Sequence, residues 1–173
     1  MKTLVLIRHA KTEALNMGIT DYERQLKPRG YRDSELVVNE MKKKGIQPDL
    51  IISSPASRAK QTAQIFAKAL QYDEAKIEYQ KFIYDGYTSA EFIDYLGQYG
   101  KANDTIVVVG HNPEIAMMAI NLTDGNYFHF PTTAATSISY DIESWENMMV
   151  REGQTEWFIY PKMLKDGKNS NNE

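Results

Sequence analysis

Three short apolar segments, each followed by a turn and an amphipathic helical pattern, constrain the fold of this chain more than any other feature of its sequence. The segments are residues 4–7, 49–52 and 105–109, which are rich in Leu, Ile and Val. Strand, turn and helix repeated in this way predict parallel strands joined by right-handed crossovers. We therefore predict an α/β fold, a three-layer α/β/α sandwich with a mostly parallel central sheet.

Basic side chains follow each of these segments. Arg8 and His9 come directly after the first segment. Arg58 lies in the first turn of the helix after the second segment, and His111 follows the third. The carboxyl ends of parallel strands meet at one edge of a sheet, so we expect these four side chains to converge. Guanidinium groups match phosphate oxygens and imidazole is a competent nucleophile, so the pattern predicts a site for phosphoryl transfer.

Proline and capping residues predict where three helices begin. Pro28 suits the first turn of one helix. Ser54 is predicted to be the N-cap of a second helix, with Pro55 as its first residue. Asn112 and Pro113 are predicted to have the same positions in a third helix, which would place the preceding histidine where backbone amides favour an anion.

The rest of the chain completes one domain. A third short strand is predicted over residues 77–82, with a loop after it, and two further strands over residues 134–142 and 156–160. A length of 173 residues with 42% hydrophobic content is near the usual size of one domain. We predict a single domain over residues 1–164 and a disordered tail over the polar residues 165–173.

Composition excludes several classes of protein. The chain has no cysteine, so disulfide frameworks and thiolate metal sites are excluded. A net charge of -3 without a basic stripe argues against a nucleic-acid partner. No apolar stretch is long enough to cross a membrane, and no leader pattern is present at the amino end, so we expect a cytoplasmic protein without membrane contact.

The chain's three histidines raise the alternative of a zinc site. His9, His111 and His129 would make an open catalytic coordination sphere. Arg8 and Arg58 argue against a cation at that position, and positioned arginines can themselves stabilise a transferring phosphoryl group. We therefore predict a site that needs neither metal nor cofactor, and we interpret His129 as an aromatic-loop residue with access to substrate.

Three motifs occur together in a characteristic order and spacing. They are Arg8-His9-Ala10-Lys11, Ser53-Ser54-Pro55-x-x-Arg58-Ala59-x-Gln61-Thr62-Ala63 and Gly110-His111-Asn112-Pro113. Over residues 3–125 the chain resembles the histidine phosphatase superfamily, which includes phosphoglycerate mutases and acid phosphatases. It is most similar to the SixA-type phosphohistidine phosphatases, because it has no large insertion between the second and fourth strands and carries the spacing Asp21-x-x-Arg24-x-Leu26-x-x-x-Gly30.

The resemblance implies a phosphoglycerate mutase-like fold and a role for each matching residue. It implies that His9 is phosphorylated transiently, and that Arg8, Arg58 and His111 bind the phosphoryl group. It also makes Arg24 a candidate substrate contact.

The chain departs from the family pattern at three positions. Ala10 replaces the glycine of the commoner Arg-His-Gly form. The mutases carry an asparagine six residues after the nucleophile, where this chain has Leu15, and this difference counts against a mutase. The acidic proton donor of larger members has no clear match, and Asp85 is the nearest candidate.

These observations predict a metal-independent phosphatase that forms a phosphohistidine intermediate and removes phosphate from phosphohistidine on a protein, such as a signalling protein. One alternative is a small-metabolite phosphatase of the same superfamily. Another is a catalytically silent module that binds a phosphorylated ligand. Both histidines and both arginines are present, which argues against the silent module because binding alone needs no nucleophile.

Overall fold

The structure, a computed structural model, describes the backbone of residues 1–170 and the side chains of residues 1–167. The strands of this part of the chain are β1 (Lys2–Arg8), β2 (Leu50–Ser53), β3 (Glu78–Tyr79), β4 (Thr105–Gly110), β5 (Ala135–Tyr140) and β6 (Gln154–Ile159). Its α-helices are α1 (Pro28–Lys43), α2 (Ser57–Ala69), α3 (Lys81–Asp85), α4 (Ser89–Tyr99), α5 (Glu114–Leu122) and α6 (Pro161–Ser170). Among the described residues, no helix is both long and apolar enough to cross a membrane.

The strands form one sheet in the order β3-β2-β4-β1-β5-β6. The first four strands in this order are parallel, whereas β5 and β6 run antiparallel to their neighbours. The prediction of a mostly parallel sheet is therefore confirmed. Arg8 at the end of β1 pairs with Gly110 at the end of β4, and Ser53 at the end of β2 pairs with Val109. This register brings three carboxyl ends to one edge of the sheet.

Both faces of the sheet are covered by helices, which confirms the three-layer sandwich. Leu4 and Leu6 of β1 lie in one apolar cluster, whereas Val5 and Ile7 lie in another. Alternate residues of a strand point to opposite faces, so the two clusters lie on opposite sides of the sheet. The first cluster includes residues of α4 and α5, and the second includes residues of α1 and α2. A central strand that is buried on both faces explains why β1 reads as a continuous apolar segment.

Helix α1 begins at Pro28 as predicted, but α2 begins later than the sequence indicated. Its N-cap is Ala56 and its first residue is Ser57, so the prediction of Ser54 as the N-cap is wrong. The Ser54 hydroxyl accepts from the Ala56 N–H at 3.2 Å and lies 2.7 Å from Nε2 of His111. The serine therefore closes a turn and contacts an imidazole instead of capping the helix.

Helix α5 also begins later than predicted. Pro113 is its N-cap and Glu114 its first residue, where Asn112 had been predicted as the cap. The Asn112 side-chain amide instead donates to the carbonyl oxygen of Phe130 at 2.9 Å. This contact engages the side-chain N–H of Asn112 outside the helix, whereas its Oδ1 is buried without a partner among the described residues.

The segment after β2 contains less strand and more helix than predicted. The third strand is only Glu78–Tyr79, and the predicted loop after it contains α3. Ile83 is buried in the core, and Lys81 and Asp85 form an ion pair of 2.6 Å one helical turn apart. An anchored apolar residue and an i,i+4 pair favour a helical turn here.

The prediction of a disordered tail is wrong for residues 165–170, because α6 extends to Ser170. Leu164 packs against the apolar cluster beneath α1. The Lys165 ammonium donates to the buried carboxylate of Asp33 at 2.7 Å, and this ion pair attaches the helix to α1. Residues 171–173 lie outside the described residues. The single domain over residues 1–164 stays a prediction.

Candidate active site

The structure brings together the four side chains that follow the parallel strands. Arg8 is the last residue of β1, and His9 follows it with its N–H bonded to the carbonyl oxygen of Gly110 at 3.0 Å. His111 follows β4, and the ring centroids of the two histidines are 5.2 Å apart. Arg58 lies in the first turn of α2, and its charge lowers the pKa values of both histidines in addition to the larger effect of burial. Strand register and helix position thus place two imidazoles and two guanidiniums around one point.

The environment of His9 suits a nucleophile. The side chain is buried, and Nδ1 lies 2.9 Å from the carbonyl oxygen of Ala10. A carbonyl can only accept, so Nδ1 carries the hydrogen and Nε2 of the neutral ring keeps its lone pair. The pKa of His9 falls to about 3, mainly through burial and partly through the charges of His111, Arg58 and Arg8, although the hydrogen bond to the Ala10 carbonyl opposes the shift. The ring is therefore neutral at pH 7.

His111 is held by a serine. Its Nε2 lies 2.7 Å from the hydroxyl oxygen of Ser54, and this contact fixes the orientation of the ring. Burial and the charge of Arg58 lower the pKa of His111 to about 4, although the carboxylate of Asp21 opposes the shift. Among the described residues, Nδ1 of His111 is buried and has no hydrogen-bond partner. The ring thus presents an unpaired nitrogen inside a group of cationic side chains.

Both arginines donate hydrogen bonds from their outer nitrogens, Arg8 from one and Arg58 from two. Arg8 donates from Nη1 to the carbonyl oxygen of Phe130 at 3.1 Å. Arg58 donates from Nη1 to the carbonyl oxygen of Asp21 at 2.7 Å and from Nη2 to the carboxylate of Asp21 at 3.1 Å. The Nε–H group of each arginine is buried and has no partner within the described part of the chain. Two cations with buried, unpaired donors, one on the buried Arg58 and one on the half-buried Arg8, are the expected features of an anion site.

Asp21 was not predicted as a site residue. It begins a short 3-10 turn in the loop before α1, and its carboxylate accepts from Arg58, Arg24 and the Tyr84 hydroxyl. Partial burial alone would raise the pKa of Asp21, but Arg58 and the hydrogen bond from Tyr84 lower it below its usual range. The sequence contained one signal for this residue, the spacing Asp21-x-x-Arg24, which places the two residues on one turn.

Arg24 lies beside the site and not among the residues that surround its centre. Its Nε donates to Asp21 at 3.1 Å, and its Nη1 donates to the Thr12 hydroxyl at 3.4 Å. Its charge contributes to lowering the pKa of His111. The described contacts make Arg24 a partner of Asp21, and its predicted contact with substrate stays a prediction.

Asp85 lines a surface cavity beside His111. The cavity has a volume of about 420 Å³ and is lined by Asp21, Arg58, Tyr84, Asp85, His111, Asn112, Pro113 and Glu114. The Asp85 carboxylate is paired with Lys81 at 2.6 Å, and its side chain is 49% exposed.

The neighbouring Tyr84 was not predicted as a site residue, although the centroid of its ring lies 5.8 Å from that of His111 in an edge-on arrangement. The chain has eleven tyrosines, and the sequence around Tyr84 does not distinguish it as a residue of the site.

The loop before β5 supports the end of β1. The Thr133 N–H lies 3.1 Å from the carbonyl oxygens of both Arg8 and His9. The carbonyl oxygen of Phe130 accepts from Arg8 and from the Asn112 amide. A segment more than 100 residues later in the chain therefore orients the Arg-His pair, and no sequence pattern had indicated it.

His129 lies apart from the two site histidines. Its side chain is exposed, and its ring packs edge-on against Tyr160 at 5.7 Å. Within the described residues, no group of three or more His, Cys, Asp or Glu side chains could hold a metal ion. The alternative of a three-histidine zinc site is therefore not supported by the positions of these residues.

The chain is similar in sequence to several known proteins. Residues 4–95 match the family model described as Histidine phosphatase superfamily (branch 1). An uncharacterized protein of Mycobacterium tuberculosis is 33% identical over 116 residues, which cover 67% of this chain and 69% of that protein. The mitochondrial serine/threonine-protein phosphatase Pgam5 of Drosophila ananassae is 34% identical over 74 residues, which cover 43% of this chain and 25% of Pgam5.

Solved structures show the same fold. The protein histidine phosphatase SixA complexed with tungstate superimposes with a TM-score of 0.77 at 21% identity, covering 94% of this chain and 99% of SixA. The phosphoserine phosphatase of Entamoeba histolytica complexed with 3-phosphoglyceric acid gives a TM-score of 0.65 at 19% identity, covering 95% of this chain and all of that one (100%). These similarities confirm the predicted phosphoglycerate mutase-like fold.

Proposed function

Because the chain belongs to the histidine phosphatase superfamily, we propose that it is a phosphatase that forms a phosphohistidine at His9 and acts on phosphohistidine carried by a protein. One observation carries this proposal. The neutral ring of His9 keeps a lone pair on Nε2 beside Arg8 and Arg58, whose Nε–H groups are buried and have no partner among the described residues. A nucleophile surrounded by free donors suits attack on a phosphoryl group.

The reaction has two steps. In the first, Nε2 of His9 attacks phosphorus, so an N–P bond forms as the bond to the leaving group breaks. Arg8, Arg58 and His111 stabilise the charge on the equatorial oxygens. The hydrogen bond from Nδ1 to the Ala10 carbonyl stabilises the positive charge that the phosphorylated ring acquires. In the second step, water attacks phosphorus, the N–P bond breaks, and its electron pair returns to His9 as phosphate leaves.

The open surroundings of the site favour a phosphoryl group presented on a protein. The chain between β2 and β4 contains α2, β3, α3 and α4, together with a short 3-10 turn, and no lid domain. The cavity beside His111 is a surface cavity of about 420 Å³. The named function of the similar SixA structure, a protein histidine phosphatase, supports the same substrate class.

The position of Asp85 also favours phosphohistidine as the substrate. Asp85 lines the cavity and its carboxylate is paired with Lys81, so it is a weak candidate for protonating an alkoxide. In a phosphorylated imidazole the reactive P–N bond breaks and the imidazole leaves without such help, whereas a serine alkoxide needs an acid. A small-metabolite phosphatase is the second candidate, because the similar Entamoeba enzyme is a phosphoserine phosphatase.

The proposal is tested by comparing the wild type with His9→Ala and with His129→Ala, a matched change at an exposed histidine outside the site. The substrates are a phosphohistidine protein, a phosphoserine peptide, 3-phosphoglycerate and p-nitrophenyl phosphate, all assayed with EDTA present. We expect turnover by the wild type and His129→Ala and none by His9→Ala. Base-stable, acid-labile labelled phosphate should appear on His9 after a quench in base. Near-normal activity of His9→Ala would rule out a covalent intermediate at His9.

The same assay decides the substrate class. We expect the highest kcat/KM for the phosphohistidine protein, and we expect Asp85→Asn to leave that value nearly unchanged, because a phosphorylated imidazole needs no acid to leave. An equal or higher kcat/KM for 3-phosphoglycerate or the phosphoserine peptide would assign the chain to the general phosphatases. Loss of activity in EDTA with recovery in zinc would contradict metal independence. The cytoplasmic location is part of the proposal and is tested by cell fractionation.

A further inference from the structure

Asp21 makes contacts with Arg58 that go beyond a simple ion pair. Its backbone carbonyl accepts from Nη1 of Arg58 at 2.7 Å, and its carboxylate accepts from Nη2 at 3.1 Å. Both outer nitrogens of the guanidinium are therefore held by one residue. The remaining Nε–H is buried and has no partner among the described residues.

We infer that Asp21 is a positioning residue of the reaction: it holds the guanidinium of Arg58 in the one orientation that turns Nε–H toward the transferred phosphoryl group. This inference rests on the proposed function. An arginine side chain has several rotatable bonds, so an unheld guanidinium would sample many orientations. A misplacement of about 1 Å at a reacting centre can cost on the order of 100-fold in rate.

The turn that carries Asp21 is itself well held. The Thr20 N–H and hydroxyl both donate to the Glu23 carboxylate at 3.0 Å, which closes the turn around Asp21. Further along the same loop, the Leu26 N–H donates to the side chain of Gln61 at 2.9 Å. Gln61 lies three residues after Arg58 in α2, so the loop is attached to the helix that carries the arginine. A fixed backbone is required here, because one of the two bonds to Arg58 uses a backbone carbonyl.

The other contacts of Asp21 argue against a role as the proton donor. Its carboxylate accepts from Arg24 and from the Tyr84 hydroxyl in addition to Arg58. Three donors favour the ionised form, and the pKa of Asp21 lies below its usual range even though partial burial opposes this shift. An ionised carboxylate accepts hydrogen bonds and cannot supply a proton. These contacts therefore favour a role of Asp21 in orienting the guanidinium of Arg58.

The test compares Asp21→Asn with Glu13→Gln, which also replaces a carboxylate by an amide in the loop between β1 and α1. Glu13 is exposed, and its side chain has no hydrogen bond or ion pair among the described residues. We expect kcat/KM for p-nitrophenyl phosphate to fall roughly 10- to 100-fold in Asp21→Asn and to stay within about twofold of the wild type in Glu13→Gln. Circular dichroism and the thermal unfolding midpoint check that each variant is folded. Unchanged kcat/KM in a folded Asp21→Asn would overturn the inference.

Binding of inorganic phosphate, measured by calorimetry, gives a readout that does not depend on turnover. Removing a negative charge should strengthen phosphate binding, whereas loss of the Arg58 orientation should weaken it. We expect about tenfold weaker binding in Asp21→Asn, and equal or tighter binding contradicts the inference. If the wild type binds phosphate but shows no His9-dependent turnover, the proposed function fails while the binding data still decide the role of Asp21.

A double-mutant cycle separates positioning from an independent role. If Asp21 acts through Arg58, then kcat/KM of the double variant Asp21→Asn, Arg58→Ala should lie within about twofold of that of Arg58→Ala alone. An effect as large as in the wild-type background would mean that Asp21 acts on the substrate by itself, and the inference would be wrong.

Discussion

Lowering the pH from 7 to 5 should destabilise this protein through its two buried histidines. Burial is the main cause that lowers the pKa of His9 to about 3 and that of His111 to about 4. In an unfolded chain both imidazoles titrate near pH 6.5. Below that pH the unfolded state binds protons that the folded state excludes, so the free energy of unfolding falls as the pH falls toward about 4. Above about pH 6.5 the two residues make no pH-dependent contribution.

The size of the effect follows from these pKa values. Each histidine costs about 1.4 kcal/mol for every pH unit below 6.5, until its folded pKa is reached. Between pH 7 and pH 5 this amounts to about 2 kcal/mol for each residue and about 4 kcal/mol for the pair. A typical domain is stable by about 5–15 kcal/mol, so the loss is a large share of the total.

Urea unfolding followed by circular dichroism at pH 7, 6 and 5 measures this loss directly. His9→Gln and His111→Gln should each remove about half of the difference between pH 7 and pH 5, because each removes one of the two proton sites. The double variant should lose most of it. A wild-type free energy of unfolding that is equal at pH 7 and pH 5, or a pH dependence that survives in the double variant, would refute the reasoning.

Further predictions concern Arg8 and Gly30. Arg8→Ala should cost about 2–4 kcal/mol in transition-state stabilisation, measured from kcat/KM, and EDTA should not change the wild-type rate. Gly30→Ala should destabilise the fold by about 1–3 kcal/mol in urea unfolding, because its Cβ would lie 2.4 Å from the backbone oxygen of Lys11. Gly97→Ala is its control, because the nearest atom to that Cβ is 3.6 Å away, and equal stabilities of the two variants would contradict the argument.

The sequence predicted the sheet well because a buried parallel strand has a local signature. Residues 4–7, 49–52 and 105–109 are short apolar runs, and they correspond to β1, β2 and β4. Helix starts were predicted less well. Ser54 and Asn112 have the right chemistry for an N-cap, but each side chain makes a contact in the site or its supporting loop instead. A capping preference of about 1 kcal/mol is easily outweighed by such tertiary contacts.

The disordered tail was a wrong prediction for a related reason. Residues 165–170 contain too few apolar side chains to indicate a packed helix, so composition favoured disorder. The structure attaches this helix through Leu164 and through the ion pair of Lys165 with the buried Asp33. That pair joins residues separated by 132 positions, and neither residue is unusual in its local sequence.

The sequence by itself determined the layers of the fold and the edge of the sheet where Arg8, His9 and His111 lie. Buried strands and amphipathic helices can be recognised from the pattern of residues that are close together in the sequence. Only the tertiary structure decided which side chains hold that site in place. Asp21 reaches Arg58 across 37 positions of chain, and Tyr84 reaches Asp21 across 63. A hydrogen bond between distant residues depends on how loops pack in three dimensions. Polar residues in loops have no periodic pattern from which their hydrogen-bond partners could be predicted.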